Sequence, residues 1–447
     1  MAMRIVDAVW VLHGDSIVRF ATPGPILALN CLQVSRSFAS NEACKVIAQY
    51  GEIIVGEYAQ KNLSGMIDYS PGLRYDSYDD MWRPLLPSGR QRNNAMLITC
   101  GEFLYAIGGL DPFTEAVTNT VTRYSFVLDS AWEERSPMMH CRTECALAVT
   151  DKRIYVLGGY QDTRDAMVKH VLASVESYCP EDNVWHTGPS MIHPRMNPRG
   201  VALINKEIYV IDGLDYWDND EDEISCLPEP TFYPYAEALA SDRRAWRPLP
   251  QIRGPGPLDY VAVTTHDGML YLIGGIHNGL GDEEYDVPDV SLVQRYVPYK
   301  DCWEMVAPLS QARHRVVAAS IQGYILAFGG SQLGDFHQEH QVSTVECFDT
   351  VTGEWKVLNA MPAPLAIGFS VSSFRNSSSI YLISCDADSL RKHGPRACLE
   401  CYCFELSANS WRRLSEYPAH WHQGENSTVA VNGVVHSSSF ITMGSLY

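Results

Sequence analysis

The chain has 447 residues, 46% hydrophobic and 19% charged, enough apolar material for a large buried core and too much for a disordered polymer. Lys and Arg total 34 against 53 Asp and Glu, a formal net charge of −19. Such an acidic chain repels phosphate backbones, so no nucleic-acid partner is expected without a local basic patch, which the sequence does not show.

No apolar run reaches the ~18–20 residues that span a bilayer, so no membrane partner is expected either. At the N-terminus, Asp7 interrupts the place where a signal peptide would continue its apolar stretch. The 13 cysteines are odd in number and scattered, which suits reduced thiols better than a disulfide framework. On this reading the protein is cytoplasmic, with the nucleus as the alternative, and the sequons at Asn62, Asn376 and Asn426 are chance matches. Residues 1–62 form a separate N-terminal segment. Leu27, Cys31, Val34, Phe38 and Val46-Ile47 follow a loosely helical spacing after the breaker Thr22-Pro23-Gly24-Pro25, so this segment is expected to be partly helical.

From residue 63 onward the chain repeats itself. An aromatic residue precedes a Trp at Tyr75/Trp82, Tyr124/Trp132, Tyr178/Trp185, Tyr235/Trp246, Tyr296/Trp303, Phe348/Trp355 and Tyr402/Trp411. The gaps between successive Trp are 50, 53, 61, 57, 52 and 56 residues. Between these pairs lie short β-branched and aromatic runs that end in two glycines: Gly108-Gly109, Gly158-Gly159, Gly274-Gly275 and Gly329-Gly330. Degenerate copies end in Asp212-Gly213 and Ser384-Cys385. Runs of this length are strands, and glycine ends them where the backbone must turn or approach another chain segment closely.

One period therefore reads as four strands, A to D: 146–150, 154–158, 175–178 and 184–186, with the Trp in strand D. Four antiparallel strands repeated radially at about 50 residues indicate an all-β fold, a β-propeller of four-stranded blades over residues 63–447. Seven blades are favoured and six are the alternative. In one closure, residues 427–431 and 434–439 supply A and B strands to the first C–D pair, leaving no exposed edge. In the other, residues 9–14 supply the first B strand.

The Gly-Gly doublet, the aromatic–Trp pair and the Met…Arg that follows resemble kelch repeats, and the chain is similar to the propeller of kelch-like proteins. The resemblance implies a BTB and a BACK domain ahead of the propeller, and 62 residues cannot hold either one complete. It also implies a protein-binding module that selects substrates for a cullin-type ubiquitin ligase when a longer form carries BTB. Cytoskeletal scaffolding and an enzyme with its site in the central channel are the alternatives.

In a four-stranded antiparallel blade the B–C and D–A loops leave the same face. The D–A loops repeat an arginine four positions after a Met or Leu: Arg90, Arg142, Arg195, Arg253 and Arg313. So strict a repeat suits a structural guanidinium that donates to loop carbonyls. Two positions later the residue varies: Arg92, Glu144, Asn197, Pro255 and Arg315. The kelch-like resemblance makes Arg92, Asn197 and Arg315 candidates for partner contact. The B–C loops add acid. Residues 215–223 hold six acids beside Tyr216 and Trp217, and the next equivalent loop carries Asp282, Glu283, Glu284, Asp286 and Asp289. Tyr216, Trp217, Asp220, Asp222, Glu283 and Glu284 are the candidates here, for a partner with a basic segment. The plain alternative is a solvated loop.

No nucleophile motif, phosphate-cradling glycine loop or paired metal-ligand motif is present, so no enzyme activity, cofactor or metal is expected. Cys398, Cys401 and Cys403 with His393 invite a zinc reading, but Cys401 and Cys403 fall inside a C strand, where cysteine is a common small core residue.

Overall fold

The computed structural model describes a hairpin at 9–13 and 16–20 and most of residues 52–438; the longest stretches outside the description are 1–8, 21–51, 215–235, 278–288, 386–398, 416–427 and 439–447. The regular structure of the described residues is all strand except for one 3-10 turn at Pro298–Lys300. The helical expectation for residues 26–50 lies outside them.

Among the described residues the large sheets are six of four strands and one of five, all antiparallel. They are numbered here in chain order, with strands A to D from the centre outward. Sheet 3 shows the pattern: Ala146–Thr150, Arg153–Leu157, Val175–Cys179 and Val184–Thr187 pair in that order. Sheet 2 starts with strand A at Met96–Cys100, sheet 4 at Gly200–Ile204, sheet 5 at Ala262–His266, sheet 6 at Val317–Ile321 and sheet 7 at Ser370–Phe374. Each A strand approaches the A strands of its two neighbours in a closed cycle, so these strands line the centre of a propeller.

Local sequence explains the hairpins. The A–B turns Asp151-Lys152, Asn205-Lys206, Asp267-Gly268 and Gln322-Gly323 have both residues at positive φ. This is the two-residue turn whose twist matches that of the flanking strands. The aromatic–Trp interval then becomes regular in six sheets. Directly opposite Trp82, Trp185, Trp246, Trp303, Trp355 and Trp411 stand Tyr75, Tyr178, Leu239, Tyr296, Phe348 and Phe404, always seven positions earlier.

Three expected pairs are thereby corrected. Phe404, not Tyr402, faces Trp411, and Leu239 faces Trp246 in place of Tyr235. Trp132, expected in strand D of sheet 2, lies just outside it. That strand is Glu133–Arg135 and its pairing with strand C begins at Arg123 opposite Glu133, one step past the Trp. Tyr124 and Trp132 are eight positions apart, one more than elsewhere, so a longer C–D connection leaves the Trp ahead of the ladder. Trp132 is half-buried, and its ring still rests on Tyr124 with centroids 5.6 Å apart.

The core lies between sheets rather than at one centre. Tyr105, Ile107 and Met138 of sheet 2 pack on Ile154, Tyr178 and Trp185 of sheet 3, and equivalent clusters join sheets 3 and 4, 4 and 5, 5 and 6, and 6 and 7. The Trp indoles stitch these layers. Trp185, Trp246, Trp303 and Trp355 donate to the carbonyls of Ser136, Pro189, Pro250 and Ala307, each just past the D strand of the preceding sheet. A large apolar body with one polar tip suits this place, because the ring is buried while its N–H still finds an acceptor.

The ring closes differently from either expectation. Sheet 1 joins one C-terminal strand, Thr428–Val431, to three N-terminal strands, Glu52–Val55, Leu73–Asp76 and Met81–Pro84. Strand B therefore comes from Glu52–Val55, inside the 1–62 segment. Val9–His13 pairs with Ser16–Phe20 and takes no part in sheet 1. Gly433–Ser438, expected as a B strand, is instead the fifth strand of sheet 7 and pairs with its A strand.

Candidate functional site

The D–A and B–C loops do meet on one face. Isolated bridges tie Asn93 to Leu110, Thr143 to Tyr160, Met196 to Leu214 and His314 to Ser331. Each pair joins the loop entering strand A to the loop leaving strand B of the same sheet.

A buried arginine fixes each junction. Arg142 donates to the carbonyls of Gly158 and Ser174 and to the carboxylate of Glu176 at 2.7 Å. Arg313 repeats this on Gly329, Thr344 and Glu346, and Arg195 on Asp212 and Glu237. Arg142, Arg313 and their glutamate partners are at most 1% exposed. Burial lowers the Arg313 pKa, while the charge of Glu346 acts against that. The glutamate also accepts backbone N–H groups from the preceding turn: Met139 and His140 on Glu176, Ile192 and His193 on Glu237. A buried carboxylate with so many donors is fully satisfied, which is the condition for keeping such a pair in a core.

The glycine doublets follow from the same junction. A Cβ on Gly108 would lie 2.2 Å from the carbonyl oxygen of Arg142 in the next sheet, and one on Gly109 would lie 2.5 Å from that of Asn93 in its own. The doublet is thus the point where two D–A loops close on one B strand.

These contacts correct the phase of two loops. Arg92 occupies the place of Arg142: it is 3% exposed and donates to Gly108, Thr120 and Thr122. Its guanidinium holds sheet 2 as that of Arg142 holds sheet 3. Arg92 stands sixteen positions before the first glycine, the interval seen for Arg142 and Arg313. Arg90 lies outside the described residues. In sheet 5 the acceptor of the Trp303 indole lies two positions before Ile252, where other sheets have Met138, Met191 and Leu309. Counting from Leu249 therefore reached Arg253 three residues early. Arg253 is exposed and only its backbone N–H reaches the sheet, on Gln294. Gln294 takes the buried place of the glutamate.

Just ahead of strand A, in the bend that aims the chain into the sheet, five residues adopt the left-handed conformation: Asn94, Glu144, Asn197, Tyr260 and Arg315, with φ of 54°, 49°, 47°, 53° and 52°. Glu144, Asn197 and Arg315 are the variable positions named from sequence; Asn94 and Tyr260 replace Arg92 and Pro255. Neighbours are tied by backbone: Asn197 donates its N–H to the carbonyl of Glu144 and Arg315 to that of Tyr260. Asn197 is 5% exposed, so it contributes chiefly to the frame. Arg315 is half-buried with its guanidinium 4.5 Å above the Tyr260 ring.

The B–C loops are braced by two aspartates. Asp162 accepts the N–H of Val117 from the neighbouring sheet and pairs with Lys169 at 2.6 Å. Burial raises its pKa, but Lys169 and the Val117 N–H outweigh that and hold the carboxyl below its ordinary range. Asp289 accepts the N–H of Leu333 from the next sheet and pairs with buried His314 at 2.6 Å. Of the acids expected to face a partner, Asp289 is thus a brace. Sequence reading also missed Phe113, 62% exposed at the tip of the 110–118 loop. Asp111 holds that tip by accepting from the N–H groups of Thr114 and Phe113, which keep its carboxyl below the ordinary range. Tyr216, Trp217, Asp220, Asp222, Glu283 and Glu284 lie outside the described residues. Cys401 and Cys403 are buried in strand C of sheet 7. Among the described residues no group of three or more His, Cys, Asp or Glu is placed to hold a metal ion.

The Kelch motif family model matches residues 141–192 and 312–362. These are the segments with Arg142, Glu176 and Gly158-Gly159, and with Arg313, Glu346 and Gly329-Gly330. The chain is 26% identical over 281 residues to Kelch-like protein terF of Aspergillus terreus, a match covering 62% of this chain and 57% of that one. It is 24% identical over 292 residues to Kelch repeat and BTB domain-containing protein 1 of Cowpox virus, covering 65% of this chain and 46% of the relative. With Kelch-like protein 26 of Danio rerio the identity is 24% over 267 residues, covering 59% and 39%. The chain spans about half the length of the curated relatives it matches. The solved structure of YjhT superposes with a TM-score of 0.51 at 15% identity, covering 72% of this chain and 97% of that one, a likeness of fold alone. The chain carries Kelch motifs and resembles the kelch-like proteins, and these relatives support an interaction module.

Proposed function

We propose that this chain is a non-catalytic module that holds a partner protein on the face built by the D–A and B–C loops. The carrying observation is the set of left-handed residues ahead of strand A. Glycine occupies that conformation without strain, whereas other residues there cost of order 1–3 kcal/mol. The chain nevertheless places Asn94, Tyr260 and Arg315, all only half-buried, at equivalent points of one mouth, each with a different side chain, while Glu144 and Asn197 at the same points are buried. A constant backbone frame carrying variable side chains is how a repeat scaffold encodes recognition. Tyr260, Arg315 and Phe113 are of the residue types that anchor interfaces.

The finer reading is that the module selects substrates for a cullin-type ubiquitin ligase. It rests on the resemblance to BTB-kelch relatives and applies to a form that carries BTB. A basic segment on the partner is proposed from the acidic runs at 215–223 and 282–289. Cross-linking mass spectrometry on captured complexes tests the face: cross-links are expected on loops 110–118 and 258–260. Cross-links confined to the A–B turns, such as Asp151-Lys152, would overturn it. Co-precipitation of a cullin with a BTB-bearing form tests the ligase reading separately.

A further inference from the structure

The A strands of sheets 1 to 6 end their sheets, so among the described residues nothing pairs with their channel-side edge. Sheet 7 is different. Gly433–Ser438 adds itself to the inner edge of Ser370–Phe374, with Ser370 opposite Ser438, Ser372 opposite Val435 and Phe374 opposite Gly433. The added strand also approaches the A strands of sheets 5 and 6 and the Thr428–Val431 strand of sheet 1. It therefore stands inside the ring, in the channel that the A strands enclose.

We propose that the inner edge of Ser370–Phe374 is a strand-accepting site whose ligand is an extended peptide, and that residues 433–438 fill it as an intramolecular occupant. An unpaired strand edge presents a row of N–H and C=O groups that an extended segment satisfies by main-chain hydrogen bonds. The register is irregular between Val371 and Ser372. The bulge there disrupts the ladder locally, so this strand is held less firmly than one in unbroken register. The short link after Val431 keeps the segment at a high effective concentration, so it outcompetes a free peptide of equal affinity. The channel is then closed by residues 433–438, and a central-channel site would exist only when that strand is withdrawn. This inference is independent of the mouth reading.

The full chain carrying Ser372→Cys and Val435→Cys tests the seat. Oxidation is expected to give an intramolecular disulfide, while Ser372→Cys with Ser438→Cys, out of register, gives little. The acceptor is tested by hydrogen exchange on the full chain with Val435→Pro, which removes a backbone donor and does not fit a paired strand. Exchange at residues 370–374 is expected to rise at least tenfold, with 317–321 unchanged, and a synthetic peptide of residues 433–438 is expected to restore protection. Failure of the in-register disulfide, unchanged exchange, or no restoration by the peptide would each overturn the proposal. Should Val435→Pro not fold, the pair of disulfide variants decides alone.

Discussion

Trp82 donates its indole N–H to the carbonyl of Ser415 at 3.2 Å, across 333 positions of chain. The Ser415 N–H in turn reaches the carboxylate of Asp80, which also accepts from the Tyr75 hydroxyl. Sheets 2 and 3 meet in the same way, with Trp185 on Ser136, Ser136 on Asn183 and Tyr178 on Asn183. The junction that closes the ring is therefore built like the interior ones. Trp82→Phe and Trp185→Phe are expected to cost similar amounts, about 1 kcal/mol for one hydrogen bond. Denaturant titration of both variants checks this; a cost at Trp82 near zero would mean that the closing junction is not formed in solution.

Gly108 and Gly101 share nearly the same φ, +63° and +62°, but only Gly108 faces a neighbour. Gly101→Ala should cost only the strain of a left-handed residue, roughly 1 kcal/mol. Gly108→Ala adds a clash with the Arg142 carbonyl and should cost at least ~3 kcal/mol, in the range reserved for core disruption. Similar melting temperatures for the two variants would show that the D–A loops do not press on the doublet.

Glu176→Gln should leave Arg142 buried without its counter-charge, a change that typically costs about 3–5 kcal/mol. Replacing both Arg142 and Glu176 by apolar residues of similar volume should cost more still, because the Gly158 and Ser174 carbonyls and the Met139 and His140 N–H groups lose their partners as well. Equilibrium unfolding of the single and double variants decides. A Glu176→Gln variant as stable as the wild type would mean that the carboxylate does not balance Arg142.

Asp162 carries a depressed carboxyl in the folded chain. Its contribution is present above the ordinary aspartate value, about 3.9, and is lost as pH falls from there through the lower folded value. The amide of Val117 should therefore become less protected from hydrogen exchange below about pH 4, and Asp162→Asn should weaken that pH dependence. A Val117 amide indifferent to acid in the wild type would remove Asp162 as the brace.

Much of the fold was legible because the repeat is dictated by contacts that recur. Indole donors and glycine close approaches each need one residue type at one place. Where the reading slipped, it slipped by residues that sequence spacing does not distinguish. Tyr402 and Phe404 are two positions apart on a strand and so share a face, and either satisfies the aromatic pattern; only pairing selects Phe404. Arg90 and Arg92 raise the same ambiguity in a loop, where counting four positions on from Leu86 reaches Arg90, while counting ten forward from Trp82 or sixteen back from Gly108 reaches Arg92. Trp132 kept its tyrosine but lost its strand, since one extra residue in a C–D connection is invisible among intervals that already vary. Leu239 escaped because it takes a tyrosine's place without being aromatic. Glu176, Glu237 and Glu346 looked like ordinary strand acids until their arginines were placed opposite them. The single closing strand was hidden for a different reason: β-pairing between chain ends leaves no local signal.

The mouth was legible as a face but not as a residue list, because Tyr260 and Asn94 become equivalent to Arg315 only through their left-handed backbone. The most direct measurement is the affinity of a captured partner for the full chain carrying Tyr260→Gly and Arg315→Ala, beside a control with Lys152→Ala and Glu181→Ala on the A–B and C–D turns of sheet 3. Tyr260→Gly relieves a left-handed tyrosine, so folding stability should hold or rise. The account predicts that partner binding falls at least tenfold in the mouth variant and stays within twofold in the control. Full retention of binding by a folded mouth variant would contradict it.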